Sequence, residues 1–173
     1  VTIKYKRLGI IADSHGQSDL LAEAIDFLHD HQCGHIIHLG DICDSFRAET
    51  CDLCVEILKK HHVSAVKGNN DHVLEINQAD QKDPVISRET LAYLQSLPPV
   101  IKTAKALFAH SLPFYKELGI SCITRVMGKP EIDTFFSRAD GRILFRGHDH
   151  TPGIVYKRKK LSKSLPLSAE TSI

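Results

Sequence analysis

Short apolar runs alternate with amphipathic stretches along the first half of the chain. Residues 8–12 form an apolar run that ends in polar residues, which predicts a buried strand. Residues 18–32 place apolar side chains at helical spacing behind Ser18, a candidate N-cap. The same alternation then predicts a strand over 35–39, a helix over 48–61 and a strand over 63–66. Strands that alternate with helices in this way indicate an α/β fold with parallel pairing and right-handed crossovers.

The second half of the chain contains more strand candidates. A helix is predicted over 86–97, where Pro98 and Pro99 end it, and another over 130–138 with Pro130 in its first turn. The predicted strands lie at 99–102, 106–109, 143–146 and 153–157. Residues 157–173 lose the apolar pattern, so we expect an irregular tail. The length of 173 residues, without a repeat or a linker, predicts a single domain over 1–173.

Polar clusters follow five of the predicted strands immediately. They are ADSHG (12–16), LGDICD (39–44), KGNND (67–71), AHS (109–111) and RGHDH (146–150). In open α/β sheets, sites gather at the carboxyl ends of the strands, where such clusters can converge on one crevice. Asp, His and Asn are poor residues for strand interiors but suitable ligands for a divalent metal. The candidate ligands are Asp13, His15, Asp41, Asn69, His110, His148 and His150.

A single Asp or His after a strand is more often a helix cap or a solvated loop residue than a ligand. Seven candidates in five clusters are hard to obtain by chance, so the joint pattern favours a metal site. Asp41 has candidate partners on both sides, which suits a carboxylate that bridges two ions roughly 4 Å apart. We therefore expect a centre with two divalent ions.

The clusters also carry a family resemblance. The ordered set is Asp13-x-His15, Gly40-Asp41-x-x-Asp44, Gly68-Asn69-Asn70-Asp71, His110 and Gly147-His148-x-His150. This set resembles the calcineurin-like metallophosphoesterase family, in particular its short bacterial and archaeal phosphodiesterases. The resemblance implies an α/β fold (α+β in some schemes). Two sheets would form a β-sandwich flanked by helices, with the metal site at the carboxyl ends of strands.

The resemblance also implies a role for each ligand. Asp13, His15 and His150 would hold the first metal, Asn69, His110 and His148 the second, and Asp41 would bridge them and serve catalysis. Asp44 and Asp71 match acidic positions of the family that orient ligands through hydrogen bonds.

Two departures from the family pattern change the expectations. Many relatives carry His directly after the ligand Asn and use it near the leaving group, but this chain has Asn70, with His72 as the alternative candidate. An amide cannot donate a proton to a departing alkoxide at neutral pH, so we expect a preference for acidic leaving groups, which Asn70→His would reduce about 10-fold. Relatives also continue past the last block with further strands and an Asn-Pro-Gly-Ser-like turn. We therefore expect part of the second sheet to be missing or irregular.

These features predict a phosphodiesterase that hydrolyses phosphate esters with a hydroxide activated by two divalent ions. Mixed His, Asp and Asn ligands suit manganese, iron, nickel, cobalt or zinc better than calcium, and manganese is the expected metal in vitro. The expected partner is a small phosphate ester. A nucleotide is compatible with this chemistry, nucleic acid is not required, and the oligomeric state stays open. The alternative is a non-catalytic metal-binding or scaffold protein of the same fold, which would have lost ligands, whereas all seven are present.

Composition adds an expectation about location. A net charge of +1 does not favour a uniformly basic nucleic-acid binder. Five cysteines without a regular framework favour a reducing cytoplasm, with Cys43, Cys51 and Cys54 as packing residues rather than redox or zinc ligands. The apolar run over 8–12 is too short for a signal peptide or a membrane span. We therefore expect a cytoplasmic protein with no membrane partner.

Overall fold

A parallel three-stranded sheet forms the first half of the protein. The computed structural model describes residues 7–158 and 161–166. The strands are β1 (Leu8–Ile11), β2 (His35–His38) and β3 (Ser64–Ala65), which pair in that order and in parallel. The helices that connect and follow them are α1 (Ser18–Asp30), α2 (Cys51–Lys60), α3 (Asn69–Ala79) and α4 (Arg88–Ser96). The predicted order of strand, helix, strand, helix, strand is confirmed.

A second sheet of three strands pairs in mixed directions. Its strands are β4 (Val100–Lys102), β5 (Ala106–Ala109) and β6 (Ile143–Arg146). β5 runs antiparallel to β4 and parallel to β6. Helices α5 (Tyr115–Leu118) and α6 (Lys129–Arg138) lie between β5 and β6, and Pro130 stands in the first turn of α6 as predicted.

The two sheets face each other, and helices cover the first sheet. Ile37, Leu39 and Val66 of the first sheet and its loops pack in one buried cluster with Ala106 and Phe108 of β5. A larger buried cluster joins the first sheet to α1, α2 and α4; its members include Leu21, Ile25, Ile36, Val55, Leu58 and Leu94. Each fully buried aliphatic side chain contributes about 1.5–3 kcal/mol relative to exposure. The predicted sandwich of two sheets flanked by helices is therefore confirmed.

The structure differs from the sequence-based expectation at two elements. Helix α3 begins at Asn69 itself, although the sequence predicts no helix between the strand over 63–66 and the helix over 86–97. Gly68 lies at its N-cap, and the Asp71 carboxylate accepts the Gly68 N–H at 2.9 Å. This capping arrangement does not show in the apolar pattern of the sequence, because residues 68–71 are all polar or glycine. The expectation of an irregular tail is wrong in part, since β7 (Gly153–Arg158) and β8 (Leu161–Pro166) form an antiparallel pair of strands. The rest of that tail, residues 159–160 and 167–173, lies outside the described residues.

In the described part of the chain, no helix combines the length and the apolar character that a membrane crossing requires.

Candidate metal centre

The loops after five strands bring the predicted ligands into two adjoining clusters. In the first, which we call the outer cluster, Asp13, His15 and His150 present ligand atoms within 4.8 Å of one another. His15 Nε2 lies 3.1 Å from His150 Nε2, and Asp13 Oδ1 lies 3.6 Å from the same His150 atom. Loops after β1 and β6, which belong to different sheets, therefore build this cluster together.

The second group, the inner cluster, consists of Asn69, His110 and His148. His110 Nε2 lies 2.9 Å from Asn69 Oδ1 and 3.1 Å from His148 Nδ1. Asp41 stands between the two clusters: its Oδ2 atom is 3.7 Å from His15 Nε2 and 3.5 Å from His110 Nε2. One carboxylate oxygen is thus about equally close to a histidine of each cluster.

The two clusters differ in their access to solvent. The side chains of His15 and His150 are 22% and 57% exposed, whereas those of His110 and Asp41 are 0% and 3% exposed. The outer cluster opens to solvent, whereas Asp41 and His110 are buried and Asn69 and His148 of the inner cluster are half-buried.

Five of the seven predicted ligands have left-handed backbone conformations. Positive φ values are rare for residues other than glycine and cost on the order of 1 kcal/mol or more each. The ligands concerned are Asp13 (φ 56°), His15 (φ 45°), Asp41 (φ 53°), His148 (φ 74°) and His150 (φ 51°). The described chain has only three other such residues, Gln32, His62 and Asp140. Strain of this kind persists only where the surroundings enforce it, and here it is concentrated at one site.

Backbone hydrogen bonds hold the strained loops against one another. The N–H of Asp13 donates to the carbonyl of Gly40 at 3.1 Å, and the N–H of His15 donates to the carbonyl of Asp41 at 3.0 Å. Across the sheets, the N–H of His148 donates to the Asp13 carboxylate at 3.1 Å. Main-chain contacts as well as side-chain packing therefore hold these candidate ligands in position.

A buried histidine supports the same loops from below. His38, fully buried, accepts the Gly40 N–H on Nδ1 at 3.2 Å, so its proton lies on Nε2 and points at Ser14 Oγ, 2.9 Å away. Ser14 in turn donates to the carbonyl of Ile42 at 3.2 Å. Burial, with a smaller contribution from the neighbouring histidines, lowers the pKa of His38 to about 3. His38 is therefore neutral and ties the β1 loop to the β2 loop.

The donor atoms fit a cation. His110 Nδ1 lies 2.9 Å from the carbonyl of Leu39, which can only accept, so the proton of the ring lies on Nδ1. Burial lowers the pKa of His110, and the neutral ring then directs the lone pair of Nε2 toward Asn69 Oδ1 and Asp41 Oδ2. His110 Nε2 and Asn69 Oδ1 are then two acceptors that face each other at 2.9 Å. A positive ion would satisfy both of them together with Asp41 Oδ2, which also accepts the Asn70 Nδ2–H. Histidine nitrogen, carboxylate oxygen and amide oxygen together suit a divalent transition metal.

Two further carboxylates hold the loops that carry ligands. Asp71 is buried and accepts the N–H groups of Cys43 and Gly68 at 3.0 and 2.9 Å, and burial raises its pKa to about 7. Asp44 accepts the Phe46 N–H and the Arg47 guanidinium, and the Phe46 N–H is the main reason why the pKa of Asp44 is low. Both residues shape the loop that follows Asp41.

The two residues considered for the leaving group lie in different surroundings. Asn70 Nδ2 donates to Asp41 Oδ2 at 2.8 Å, directly beside the centre. His72 lies one helical turn beyond Asn69, and its Nδ1 atom is 3.5 Å from the Glu75 carboxylate. The same carboxylate forms an ion pair with Lys67 Nζ at 2.5 Å. No contact described for this part of the chain joins His72 to either cluster. The Lys67–Glu75 pair could not be read from the sequence, because nothing in it distinguishes these charges from surface ones.

The structure corrects the assignment of Cys43 and Cys51 as packing residues. Cys43 and Cys51 form a disulfide that joins the loop after Asp41 to the start of α2. This bond does not fit the expectation of a fully reduced chain, and the cytoplasmic location stays a prediction. Cys54 is a buried free thiol whose pKa burial raises to about 11, so its packing role agrees with the structure.

Comparison with known proteins identifies the class. The profile of the calcineurin-like phosphoesterase superfamily domain matches residues 7–163, and the chain belongs to this superfamily. The resemblance carried by the five polar clusters is confirmed.

Two solved structures share the fold. A crystal structure of a metallophosphoesterase from Sphaerobacter thermophilus is 24% identical, with a TM-score of 0.65, and the match covers 87% of this chain and 63% of that one. A protein described, provisionally, as a diadenosine tetraphosphatase is 21% identical, with a TM-score of 0.50, over 64% of this chain and 52% of that one. The matches thus span less than two thirds of either structure, and such identities show a common fold. No match was found among curated proteins.

Proposed function

We propose that the protein is a metal-dependent phosphodiesterase that uses two divalent ions. The observation that carries this proposal is the position of Asp41 Oδ2, which lies 3.7 Å from a histidine of the outer cluster and 3.5 Å from one of the inner cluster. A single carboxylate placed in this way suits a bridge between two ions. A scaffold protein of this fold would have lost candidate ligands, and the proximity of all seven side chains supports the enzyme instead.

The chain's own residues define the rest of the chemistry. Two bound ions, held by the seven candidate side chains, would supply water activation and neutralise charge on the phosphoryl oxygens. The strained loops hold the ligand atoms in place before the ions arrive, so little reorganisation is needed. The histidines must be neutral to bind a metal, and activity should therefore fall in acid.

A cleft beside the outer cluster suits a small phosphate ester. It has a volume of about 760 Å³, and its lining includes Asp13, His150, Arg146 and Val155. Volumes of 300–1,000 Å³ are typical of small-molecule sites. The size admits a nucleotide, and one structural neighbour is described as acting on a dinucleotide polyphosphate. Nucleotide esters are therefore the first substrates to test, with manganese as the first metal.

The leaving group receives no proton from Asn70, because an amide is not an acid at neutral pH. We therefore expect kcat/KM to fall steeply as the pKa of the leaving group rises. A flat dependence in the wild type that becomes steep only in His72→Ala would instead make His72 the general acid.

The decisive experiment combines metal stoichiometry with hydrolysis. We expect two Mn²⁺ per chain by elemental analysis, and hydrolysis of bis-p-nitrophenyl phosphate that Asp41→Ala abolishes while the protein still unfolds cooperatively. One metal per chain would contradict the bridge. Two metals without hydrolysis of any phosphomonoester, phosphodiester or nucleotide would favour the non-catalytic alternative.

A further inference from the structure

Asn70 contacts both oxygens of the central carboxylate. Its side-chain Nδ2 donates to Asp41 Oδ2 at 2.8 Å, and its backbone N–H donates to Asp41 Oδ1 at 2.8 Å. The Asp41 side chain is only 3% exposed. A carboxylate removed from water in this way needs hydrogen bonds from the protein, and one residue provides two of them.

The other end of the Asn70 amide is anchored as well. Its Oδ1 accepts the Ser45 hydroxyl at 2.7 Å and the Ser45 N–H at 3.3 Å. These partners determine the orientation of the amide, because a backbone N–H can only donate and a carboxylate can only accept. The oxygen must face Ser45 and the nitrogen must face Asp41. Asn70 therefore links the Asp41 carboxylate to Ser45, which lies four residues further along the same loop.

We propose that Asn70 is a positioning residue that holds the bridging carboxylate of Asp41 in the orientation that both clusters share, through a clamp anchored on Ser45. This inference rests on the proposed two-metal function. It assigns Asn70 a role in place of the proton donation for which many relatives use histidine at this position. The clamp acts through Asp41 and does not require contact with the substrate.

The chemistry of the clamp explains why an amide stands there. Aspartate would keep an acceptor for Ser45 but would lose the donor and place a second negative charge against Asp41. A neutral histidine has one donor and one acceptor, but they lie on opposite parts of the ring and cannot reproduce the close N and O pair of an amide. Because Asn70→His removes the clamp, this proposal does not predict that the substitution increases the hydrolysis rate of esters with poor leaving groups.

Mn²⁺ binding to the metal-free protein tests the clamp directly. Isothermal titration with MnCl₂ compares the wild type with Asn70→Ala, Asn70→His and Ser45→Ala. Asn77→Ala is the matched control, since Asn77 is an exposed asparagine of the same helix. Groups that orient metal ligands typically change affinity by about 10–100-fold when removed, so we expect this loss in Asn70→Ala and Asn70→His, and none in Asn77→Ala.

Ser45→Ala keeps the test valid if the substitutions at Asn70 prevent folding. It removes one hydrogen bond of the anchor, and we expect Mn²⁺ affinity to fall about 2–10-fold. Wild-type Mn²⁺ affinity in folded Asn70→Ala, with kcat alone reduced, would overturn the clamp and place Asn70 on the substrate. Wild-type affinity in Ser45→Ala would overturn the anchor. The proposed function is judged separately, by metal stoichiometry and hydrolysis in the wild type.

Discussion

Gly68 lies between β3 and α3, directly against the loop that carries Asp41. A Cβ atom built on Gly68 would lie 2.1 Å from the Asp41 backbone nitrogen and 2.2 Å from Asp41 Oδ1. Real Cβ contacts are essentially never shorter than 3.0 Å, so Gly68→Ala must move Asp41 or α3 by about 0.9 Å. The neighbour is backbone, which cannot rotate out of the way. Overpacking of this kind costs about 1–3 kcal/mol of stability.

The same displacement predicts a larger effect on activity than on stability. A misplacement of about 1 Å in a site can cost about 100-fold in rate. We therefore expect Gly68→Ala to reduce kcat/KM for bis-p-nitrophenyl phosphate by about 100-fold and to weaken Mn²⁺ binding, while the protein remains folded.

Gly128 provides a matched control on another helix. It is the N-cap of α6 with φ −86°, close to the φ of −96° at Gly68, so both substitutions carry the same capping penalty. A Cβ on Gly128 would meet only Glu131 Oε2 at 3.1 Å, the end of a flexible side chain, and Pro130 Cδ at 3.6 Å. Gly128→Ala should therefore leave kcat/KM and Mn²⁺ affinity unchanged. Values for Gly68→Ala within about 3-fold of this control would refute the argument from crowding.

Three other predictions follow from the structure. Between pH 6.5 and 3, His38 is protonated in the unfolded chain but neutral in the folded protein. Its burial therefore lowers the free energy of unfolding of the metal-free protein as the pH falls, by about 2 kcal/mol at pH 5. Denaturant unfolding of His38→Gln should show no such loss of stability relative to the wild type. Protonation of Asp71, whose folded pKa is raised to about 7, stabilises both proteins as the pH falls, so the difference between the two proteins is the quantity to measure. When Mn²⁺ is present at about 100 times its Kd, its removal should lower the free energy of unfolding by about 2.7 kcal/mol per site, or the Tm by roughly 5–10 °C. An unchanged Tm after addition of EDTA would contradict a native metal site. Alkylation of the denatured protein before reduction should label the three free cysteines and spare Cys43 and Cys51; labelling of all five would contradict the disulfide.

The amino-acid sequence by itself was enough to predict the layered fold and to name the seven residues that converge. Burial of a strand or a helix face leaves a local period of two or 3.6 residues, which can be read over a short window. Ligands placed directly after strands share an edge of the sheet whatever the details of packing, so Asp13, Asp41 and Asn69 could be expected to meet. The family profile over 7–163 agrees with the predicted fold and family.

The tertiary structure alone decided what surrounds those ligands. That Asn70 faces Asp41 and Ser45, and that His72 faces Glu75, depends on the direction of α3, which begins at Asn69 where the sequence shows no apolar period. The pairing of Cys43 with Cys51 likewise depends on how the loop after Asp41 folds back on α2. Hydrophobic period reports which face of an element is buried, but not which polar groups from distant segments meet there. Those contacts are set by the packing of complete elements, and they appear only when the chain has folded.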